Sequence, residues 1–489
     1  VSTYQTNSGG YKKRIDKIAN WNEYMNQETE LSIAATKMTA EVAAVKNAVE
    51  KDVFFPKILL VGISFDQSSG CGITLSNLFK KWDRSRLAIA NEFPAKDDYS
   101  MAEHVYQLGY DENRRRFPFN LFQKKTPSGP ADKPVEKIIV PAPSSDSYHS
   151  KFPFLVKWYN RLLHFFGLYH YSRKPRISEK FGQWVTDFHP DFVYTHANEL
   201  DIIEMVLQLK KKYKLKVTTH VMDHYIDNYF NPPGLLHWYW QRRTAYTFRD
   251  LINQSDLCFS IGEEMNKAYS KKYGKNFTVF HNGLDIALWK MYRKKDYVAA
   301  DPFTILYAGR ITIGTDLCLL EVAQAIDQLP EKRRIRFHIQ TTSRDPVLQK
   351  LSKYPFVHIG KIVPYQSIPG ILASADVLLL AHNFDLFTRK YFRFSFPTKA
   401  PEYMVTGVPV LLYGPGEIAV TKHARKHQWA FIIDSPDSKK LTHSIRLLYN
   451  NGAVRKSYGT ASSEFAMKNF NLETMQENLR LTFENALIK

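Results

Sequence analysis

A lysine and a glutamate three positions apart, Lys399 and Glu402, are the residues whose types and spacing point most clearly to a chemical function in this chain. They lie in FSFPTKAPEYMVTGVPVLLY, which predicts a loop bearing Lys399, a short helix opening near Pro401 and a buried strand over 408–413. A helix N-terminus with a lysine ahead of it attracts anions. Glu402 adds a hydrogen-bond acceptor, so the pair suits a ligand with phosphates on one side and sugar hydroxyls on the other. Taken alone, Lys399 is equally typical of a solvated loop charge, and Glu402 of an ordinary acid in the first turn of a helix.

Two further groups that suit anions follow predicted strands. Gly70 and Gly72 come after the strand 57–64 and open a helix, where glycines let the backbone approach an anion closely, although they are also typical of a tight turn. Arg310 ends the strand TILYAGR, and its guanidinium can grip a diphosphate. Open α/β sheets bind ligands beyond the carboxyl ends of their strands, so one site is expected. The positive charge of Arg310 and Lys399 at that site would make a metal cofactor unnecessary.

Histidines also end two predicted strands. His196 and His220 close FVYTH and KVTTH, and Asp223 and His224 follow directly. Such histidines are more often satisfied structural residues, but at a strand end they can point into a cleft. A zinc site from His220, Asp223 and His224 is an alternative, although their spacing matches no established metal motif.

Composition and charge narrow the function classes. The chain has 489 residues, a net charge of +19 and three cysteines far apart, which favours a globular protein of two or three domains in a reducing compartment. No signal peptide or run of 18 apolar residues is found, so a cytoplasmic protein is predicted. The positive charge fits nucleic acid, anionic lipid or phosphorylated substrates. Nucleic acid ranks lowest, because no helix-turn-helix, RNA-binding or zinc-finger pattern is present.

A basic, aromatic segment over 151–181 favours a membrane surface among these partners. If residues 155–169 are helical, Lys157, Arg161 and His164 share one stripe, and aromatic side chains cover much of the rest. Such a helix can lie in an anionic membrane interface. The residues predicted to contact the membrane are Lys157, Trp158, Arg161, Phe165 and Phe166. The alternative is a core helix whose basic side chains reach out to solvent.

The order of patterns predicts an α/β fold. Short β-rich runs such as KILLVGIS, FVYTH, KVTTH and DLCFSI alternate with helical stretches, and a second series from TILYAGR to VPVLLY repeats the alternation. We predict a helical extension over 1–52, two doubly wound Rossmann-like domains over 53–294 and 295–470, and a helix over 471–489 that crosses back to the first domain. A heptad stripe within 31–49 could pair with a partner or a second copy of the chain, but it is short for a coiled coil and equally fits packing onto the chain's own domain.

Three segments resemble the retaining GT-B glycosyltransferases of family 4. They are SIGEEMNKAYSKKYGKNFTVFHNGLD, the YAGR turn and FPTKAPEYMVTGVPVLL, and the likeness covers roughly residues 56–485. The resemblance implies two parallel-sheet domains facing across a cleft. It also implies transfer of a sugar from a nucleotide-sugar, most often a UDP-sugar, without a metal. The stretch GITLSNLFKKW is similar to cell-surface polysaccharide transferases, which implies a lipid-linked or glycan acceptor.

The resemblance also implies roles for individual residues. Glu402 would bind the nucleotide ribose, Arg310 and Lys399 would hold the diphosphate, and Thr398 would join them in donor binding. Gly70 and Gly72 would line the phosphate and acceptor side. His220 would lie beside the donor sugar and, with Arg310 and Lys399, form the catalytic set.

The chain departs from the family pattern at two positions. The first glutamate of the family's Glu-x7-Glu element is Phe394 here, and the lysine usual after the GR turn is missing from GRITIGTDL. Lys399 could replace the charge of that lysine, while recognition of the donor sugar must differ. A degenerate transferase that acts as a binding or scaffold subunit is therefore the alternative hypothesis.

Overall fold

A computed structural model describes residues 54–67, 69–131, 153–224, 234–311, 314–343, 346–361 and 363–488, without the side chains of 122, 153–157, 160 and 365. The predicted N-terminal extension, with its heptad stripe, lies outside these residues and stays a prediction. Residues 56–489 form one compact unit. Within the described ranges, no helix is both long enough and apolar enough to cross a bilayer.

The first sheet is built from strands that lie between residues 58 and 279. They are β1 Ile58–Val61, β2 Leu87–Asn91, β3 His104–Gln107, β4 Gly129–Pro130, β5 Phe192–Thr195, β6 Lys216–Val221, β7 Leu257–Ser260 and β8 Thr278–Val279. The described strands follow the order β4-β3-β2-β1-β5-β6-β7-β8, and only the β3–β4 pair is antiparallel. In the centre, Leu59 pairs in register with Ala88 and Val193.

The second sheet is built from strands that lie between residues 303 and 433. They are β9 Phe303–Ala308, β10 Ile335–Gln340, β11 Val357–Ile359, β12 Val377–Ala381, β13 Val410–Tyr413 and β14 Ala430–Ile433. The described strands follow the order β11-β10-β9-β12-β13-β14, and all neighbours are parallel. Strand β12 is buried along its whole length, as expected for a parallel sheet that helices cover on both faces.

Helices connect the strands of both sheets. They are α1 Gly70–Leu78, α2 Asp98–Met101, α3 Tyr110–Asn113, α4 Pro153–Phe165, α5 Leu168–Ser172, α6 Glu179–Phe188, α7 Leu200–Tyr213, α8 His237–Gln254, α9 Glu263–Tyr273, α10 Ile286–Lys290, α11 Asp316–Asp327, α12 Val347–Leu351, α13 Ile368–Ala373, α14 Leu386–Tyr391, α15 Lys399–Val405, α16 Ala419–His427, α17 Ser438–Asn450, α18 Gly452–Asn469 and α19 Leu472–Ile488. Short 3-10 helices span Arg84–Arg86, Phe119–Phe122, Lys332–Arg334 and Tyr365–Ser367.

The two parallel sheets confirm the predicted fold class, while some local predictions were wrong. The predicted strand 57–64 is shorter, because the chain turns at Gly62, where φ is +70°. The helix predicted over 155–169 is two helices, α4 and α5, since Gly167 takes a left-handed φ of +67°. Strands β2, β3, β4 and β14 were missed. The domain boundaries at 53, 295 and 471 stay predictions.

Candidate functional site

The carboxyl ends of both sheets border a cavity of about 570 Å³. Residues after β1, β6 and β7 form its first-sheet wall, and residues after β9 and β12, together with the start of α15, form the opposite wall. The predicted residues that line it are Gly70, Arg310, Thr398, Lys399 and Glu402. The cavity therefore lies where an open α/β sheet places its ligand.

Two cations meet on the second-sheet wall. Strand β9 ends at Ala308, and Gly309 turns the chain with a φ of +137°, a conformation that glycine adopts without strain. The hydroxyl of Tyr307 donates a hydrogen bond of 2.7 Å to the carbonyl oxygen of Arg310, which fixes the turn. The Lys399 ammonium lies 4.2 Å from the centre of the Tyr307 ring. Lys399 and Arg310 thus place two positive charges beside one strand end.

Helix α15 positions Lys399 and Glu402 together. The helix begins at Lys399, two residues earlier than predicted, so this lysine is its first residue and not part of the preceding loop. The Tyr403 hydroxyl accepts from the Ala308 amide at 2.8 Å and donates to the Ala308 carbonyl at 2.9 Å, which ties α15 to β9. Glu402 lines the cavity and is only 8% exposed. The carboxylate and the ammonium face the same space.

The two predicted glycines differ in what they face. A Cβ at Gly70 would lie 3.3 Å from the Thr398 side chain, so Gly70 lets α1 approach Thr398 across the cavity. Gly72 does not line the cavity. A Cβ there would overlap the carboxylate of Asp66. Gly72 thus makes room for Asp66, and its predicted role in donor binding stays a prediction.

His220 lies away from the other predicted site residues. Its side chain is fully buried and does not line the cavity. Its Nδ1 lies 2.5 Å from the hydroxyl of Tyr194, and its ring packs edge-on against Phe259. Burial lowers the pKa of His220 to about 3, so the ring is neutral. The structure thus places the His220 ring in the core, and its predicted position beside the donor sugar stays a prediction.

The zinc alternative fails on the same geometry. His224 is buried, with Nδ1 3.0 Å from the hydroxyl of Tyr269, and His220 is held by Tyr194. Within the described ranges, the histidines and acids that come within metal-ligand separations are Glu263, His423 and His427 instead. There, the indole Nε1 of Trp429 donates to His423 Nδ1 at 2.9 Å. His423 then carries its proton on Nε2 and offers no lone pair to a metal.

Tyr307 and His382 line the cavity and were not singled out from the sequence. Tyr307 lies inside the YAGR turn, and His382 directly follows β12, so a strand-end position was the available signal for both. Burial, and secondarily the charge of Lys399, lower the pKa of His382 to about 3. Asp223, weighed only as a zinc ligand, lines the first-sheet wall.

Phe394 occupies the position of the missing family glutamate. Its ring does not line the cavity. It packs perpendicular to His224 at 4.8 Å and against Tyr269 at 6.3 Å between ring centres. An apolar core contact thus replaces the charged contact that the family pattern implies.

The residues predicted to contact a membrane lie on α4 and at the turn between α4 and α5. Trp158, Phe165 and Phe166 are 57%, 47% and 48% exposed, and Arg161 is exposed. The side chain of Lys157 lies outside the described residues. The α4–α5 turn carries aromatic side chains on its surface instead of burying them all in a core.

Known proteins are similar to this chain in part of its sequence and in its fold. Residues 127–288 match the family model described as Glycosyltransferase Family 4. Sucrose-phosphate synthase from Thermosynechococcus elongatus is similar in structure, with a TM-score of 0.57 and 13% identity over 88% of this chain and 99% of that one. Anabaena HepE, solved with UDP and glucose, has a TM-score of 0.55 and 13% identity over 88% and 99% of the two chains.

WaaG, described as a glycosyltransferase involved in lipopolysaccharide biosynthesis, has a TM-score of 0.52 and 12% identity over 86% of this chain and 98% of its own. No curated protein sequence matches this chain. At these identities the structural likeness shows the fold, which is GT-B.

Proposed function

We propose that this chain, whose residues 127–288 match the Glycosyltransferase Family 4 model and whose fold is GT-B, transfers a sugar from a UDP-sugar to a lipid-linked or glycan acceptor. The reaction retains the anomeric configuration and serves the synthesis of a cell-surface polysaccharide. HepE binds UDP and UDP-glucose, and WaaG takes part in lipopolysaccharide biosynthesis, which supports the donor and the pathway class. The observation that carries the proposal is the pairing of Arg310 and Lys399 beside Glu402.

The chemistry follows from where charge develops. Breaking the bond between the anomeric carbon and the diphosphate leaves negative charge on the leaving oxygen. Lys399 and Arg310 lie at the strand end where such a group would bind, and both can donate charge-assisted hydrogen bonds to it. Glu402 accepts hydrogen bonds from ribose hydroxyls. Two protein cations thus supply the charge that a divalent metal supplies in other transferases.

A nucleotide screen tests this proposal. The purified protein is heated with UDP, GDP, ADP and their common sugar conjugates, with and without EDTA. A ligand that binds only the folded state raises the melting temperature. At a concentration 100 times its dissociation constant, it adds about 2.7 kcal/mol to the free energy of unfolding. We expect UDP and one UDP-sugar to raise it equally with EDTA present. A shift that EDTA abolishes contradicts metal independence, and no shift with any nucleotide contradicts donor binding.

A second candidate function is a binding subunit without turnover. It is favoured by Phe394, whose ring packs on His224 and Tyr269 where the family has a glutamate. Both candidates bind the nucleotide-sugar, so the melting screen does not separate them. Release of UDP from the donor that binds separates the two candidates. A protein that binds a UDP-sugar but releases no UDP with membrane extracts as acceptor source is a binding subunit.

We further propose that the chain contacts an anionic membrane through an aromatic surface, at the cytoplasmic face. The α4–α5 turn joins the start of α8, because the Leu235 amide donates to the Phe165 carbonyl at 2.8 Å and Trp240 Nε1 donates to the Gly167 carbonyl at 2.7 Å. Leu235 and Trp238, which are 63% and 60% exposed, add one aliphatic and one aromatic side chain to the exposed rings of Phe165 and Phe166. Apolar rings beside arginines suit the boundary between headgroups and acyl chains.

Vesicle binding tests the membrane contact. The double variant Phe166→Ser, Trp238→Ser is expected to bind vesicles of 70% phosphatidylcholine and 30% phosphatidylglycerol at least ten-fold more weakly, since each buried ring contributes about 1.5–3 kcal/mol. Met291→Ser, at a side chain that is 73% exposed on another surface, is the matched control. Co-sedimentation measures the binding. Equal binding by the double variant and the wild type contradicts this surface.

A further inference from the structure

The first-sheet wall of the cavity carries a carboxylate that donor binding leaves unused. Asp223 follows β6, and its side chain is 45% exposed and lines the cavity. Among the described residues on that wall, Asp223 alone carries a charge. The cations of the opposite wall, Arg310 and Lys399, attract phosphates, whereas a carboxylate repels them and accepts hydrogen bonds from hydroxyls. The two walls therefore suit different parts of a ligand.

The neighbours of Asp223 leave a place for a hydrogen-bond donor. His196 Nδ1 lies 2.9 Å from the carbonyl oxygen of His220, so Nδ1 carries the proton and a neutral His196 has its lone pair on Nε2. That Nε2 lies 4.0 Å from Asp223 Oδ2. At 4.0 Å the two atoms are too far apart for a direct hydrogen bond, so a hydroxyl group of a ligand can donate to Oδ2 from between them. The Ser395 hydroxyl reaches the other oxygen, Oδ1, only at 3.4 Å.

The side chains beside Asp223 stay uncharged. Burial, and then the charge of Asp223, raise the pKa of the Cys71 thiol to about 12. Burial and Asp223 raise the pKa of Tyr391 to about 12 as well. Neither residue competes with Asp223 as an anion at neutral pH, so a ligand beside Asp223 meets a single carboxylate, with the Cys71 thiol on the same wall and the Tyr391 phenol on the opposite one.

We propose that Asp223 binds a sugar hydroxyl group on the cavity wall opposite the diphosphate. This inference rests on the proposed function, because the cations of the other wall orient the ligand so that its sugar reaches Asp223. The hydroxyl donates to Oδ2, the oxygen that faces His196. It belongs either to the donor sugar or to the acceptor, and the two sources share the same chemistry.

Two binding measurements on Asp223→Asn and Asp223→Ala test the proposal and separate the sources. The first compares the affinity for UDP-sugar with that for UDP. The second measures, by saturation-transfer NMR, the binding of free glucose, galactose, mannose and N-acetylglucosamine to the protein loaded with UDP-sugar, where the donor position is filled. We expect about ten-fold weaker binding in one of the two, since hydrogen bonds to charged groups are among the strong ones. UDP binding should stay within about two-fold.

Asp327→Asn is the matched control, because that carboxylate is 47% exposed on α11 and pairs with Lys332 away from the cavity. Loss in the first measurement assigns the donor hydroxyl, and loss in the second assigns the acceptor hydroxyl. If both Asp223 variants match the wild type in both measurements, or the wild type binds no sugar beyond UDP, the proposal is overturned. Failure of the wild type to bind UDP instead overturns the proposed function.

Discussion

Lys399→Met and Arg310→Ala are each expected to slow sugar transfer by about 10²-fold or more. Both side chains line the cavity at the carboxyl end of β9, where the leaving diphosphate would gain negative charge. Removal of one preorganised donor of this kind costs about 10²–10³ in rate. Methionine keeps much of the lysine's length and its packing on Tyr307, so Lys399→Met removes mainly the charge.

Steady-state release of UDP from the donor, with the acceptor in excess, measures this effect. The affinity for UDP should fall together with the rate, because the cations also hold the diphosphate in the ground state. Lys353→Ala, at an exposed lysine outside the cavity, is the control and should leave both values within about two-fold. If Lys399→Met and Arg310→Ala both turn over at near the wild-type rate, Lys399 and Arg310 are not the diphosphate site.

Sequence patterns were sufficient to predict the fold class and most of the parallel strands. Buried runs such as VLLLA and ILLV are rich enough in aliphatic and β-branched residues to predict strands. Because ligands bind beyond the carboxyl ends of parallel strands, Arg310 and Lys399 could then be assigned to one site. These predictions depend on local composition and on a general property of parallel sheets. They need no knowledge of how individual side chains pack.

The sequence could not place residues whose surroundings depend on the tertiary fold. His220 ends a strand, but its ring turns inward to Tyr194, while Asp223, three residues later, lines the cavity. Alternation along β6 gives two faces without saying which residue past its end faces the cleft. Gly72 was read as an anion contact, yet its missing Cβ accommodates Asp66. No spacing in the sequence distinguishes these outcomes.

The aromatic anchor of the last helix is expected to control the stability of the first sheet. Phe483, on α19, is fully buried, and its ring centre lies 5.0 Å from that of Phe192 and 5.9 Å from that of Phe259. We expect Phe483→Ala to lower the free energy of unfolding by about 3–5 kcal/mol, because the cavity left behind adds to the lost transfer energy. Leu481→Ala, at a side chain that is 39% exposed on the same helix, should cost far less.

This loss should also reach the site, because hydrogen bonds lead from α19 to the cavity. Gln476 Nε2 donates to the Asn77 carbonyl at 2.7 Å, Asn77 Nδ2 donates to Asn282 Oδ1 at 2.8 Å, and Asn282 Nδ2 reaches the Thr398 carbonyl at 3.5 Å. Calorimetry and limited proteolysis measure whether α19 detaches, and UDP affinity measures whether the cavity changes. If Phe483→Ala melts like Leu481→Ala, the helix does not anchor the first sheet. If its melting point falls but UDP affinity is unchanged, the anchor serves stability alone.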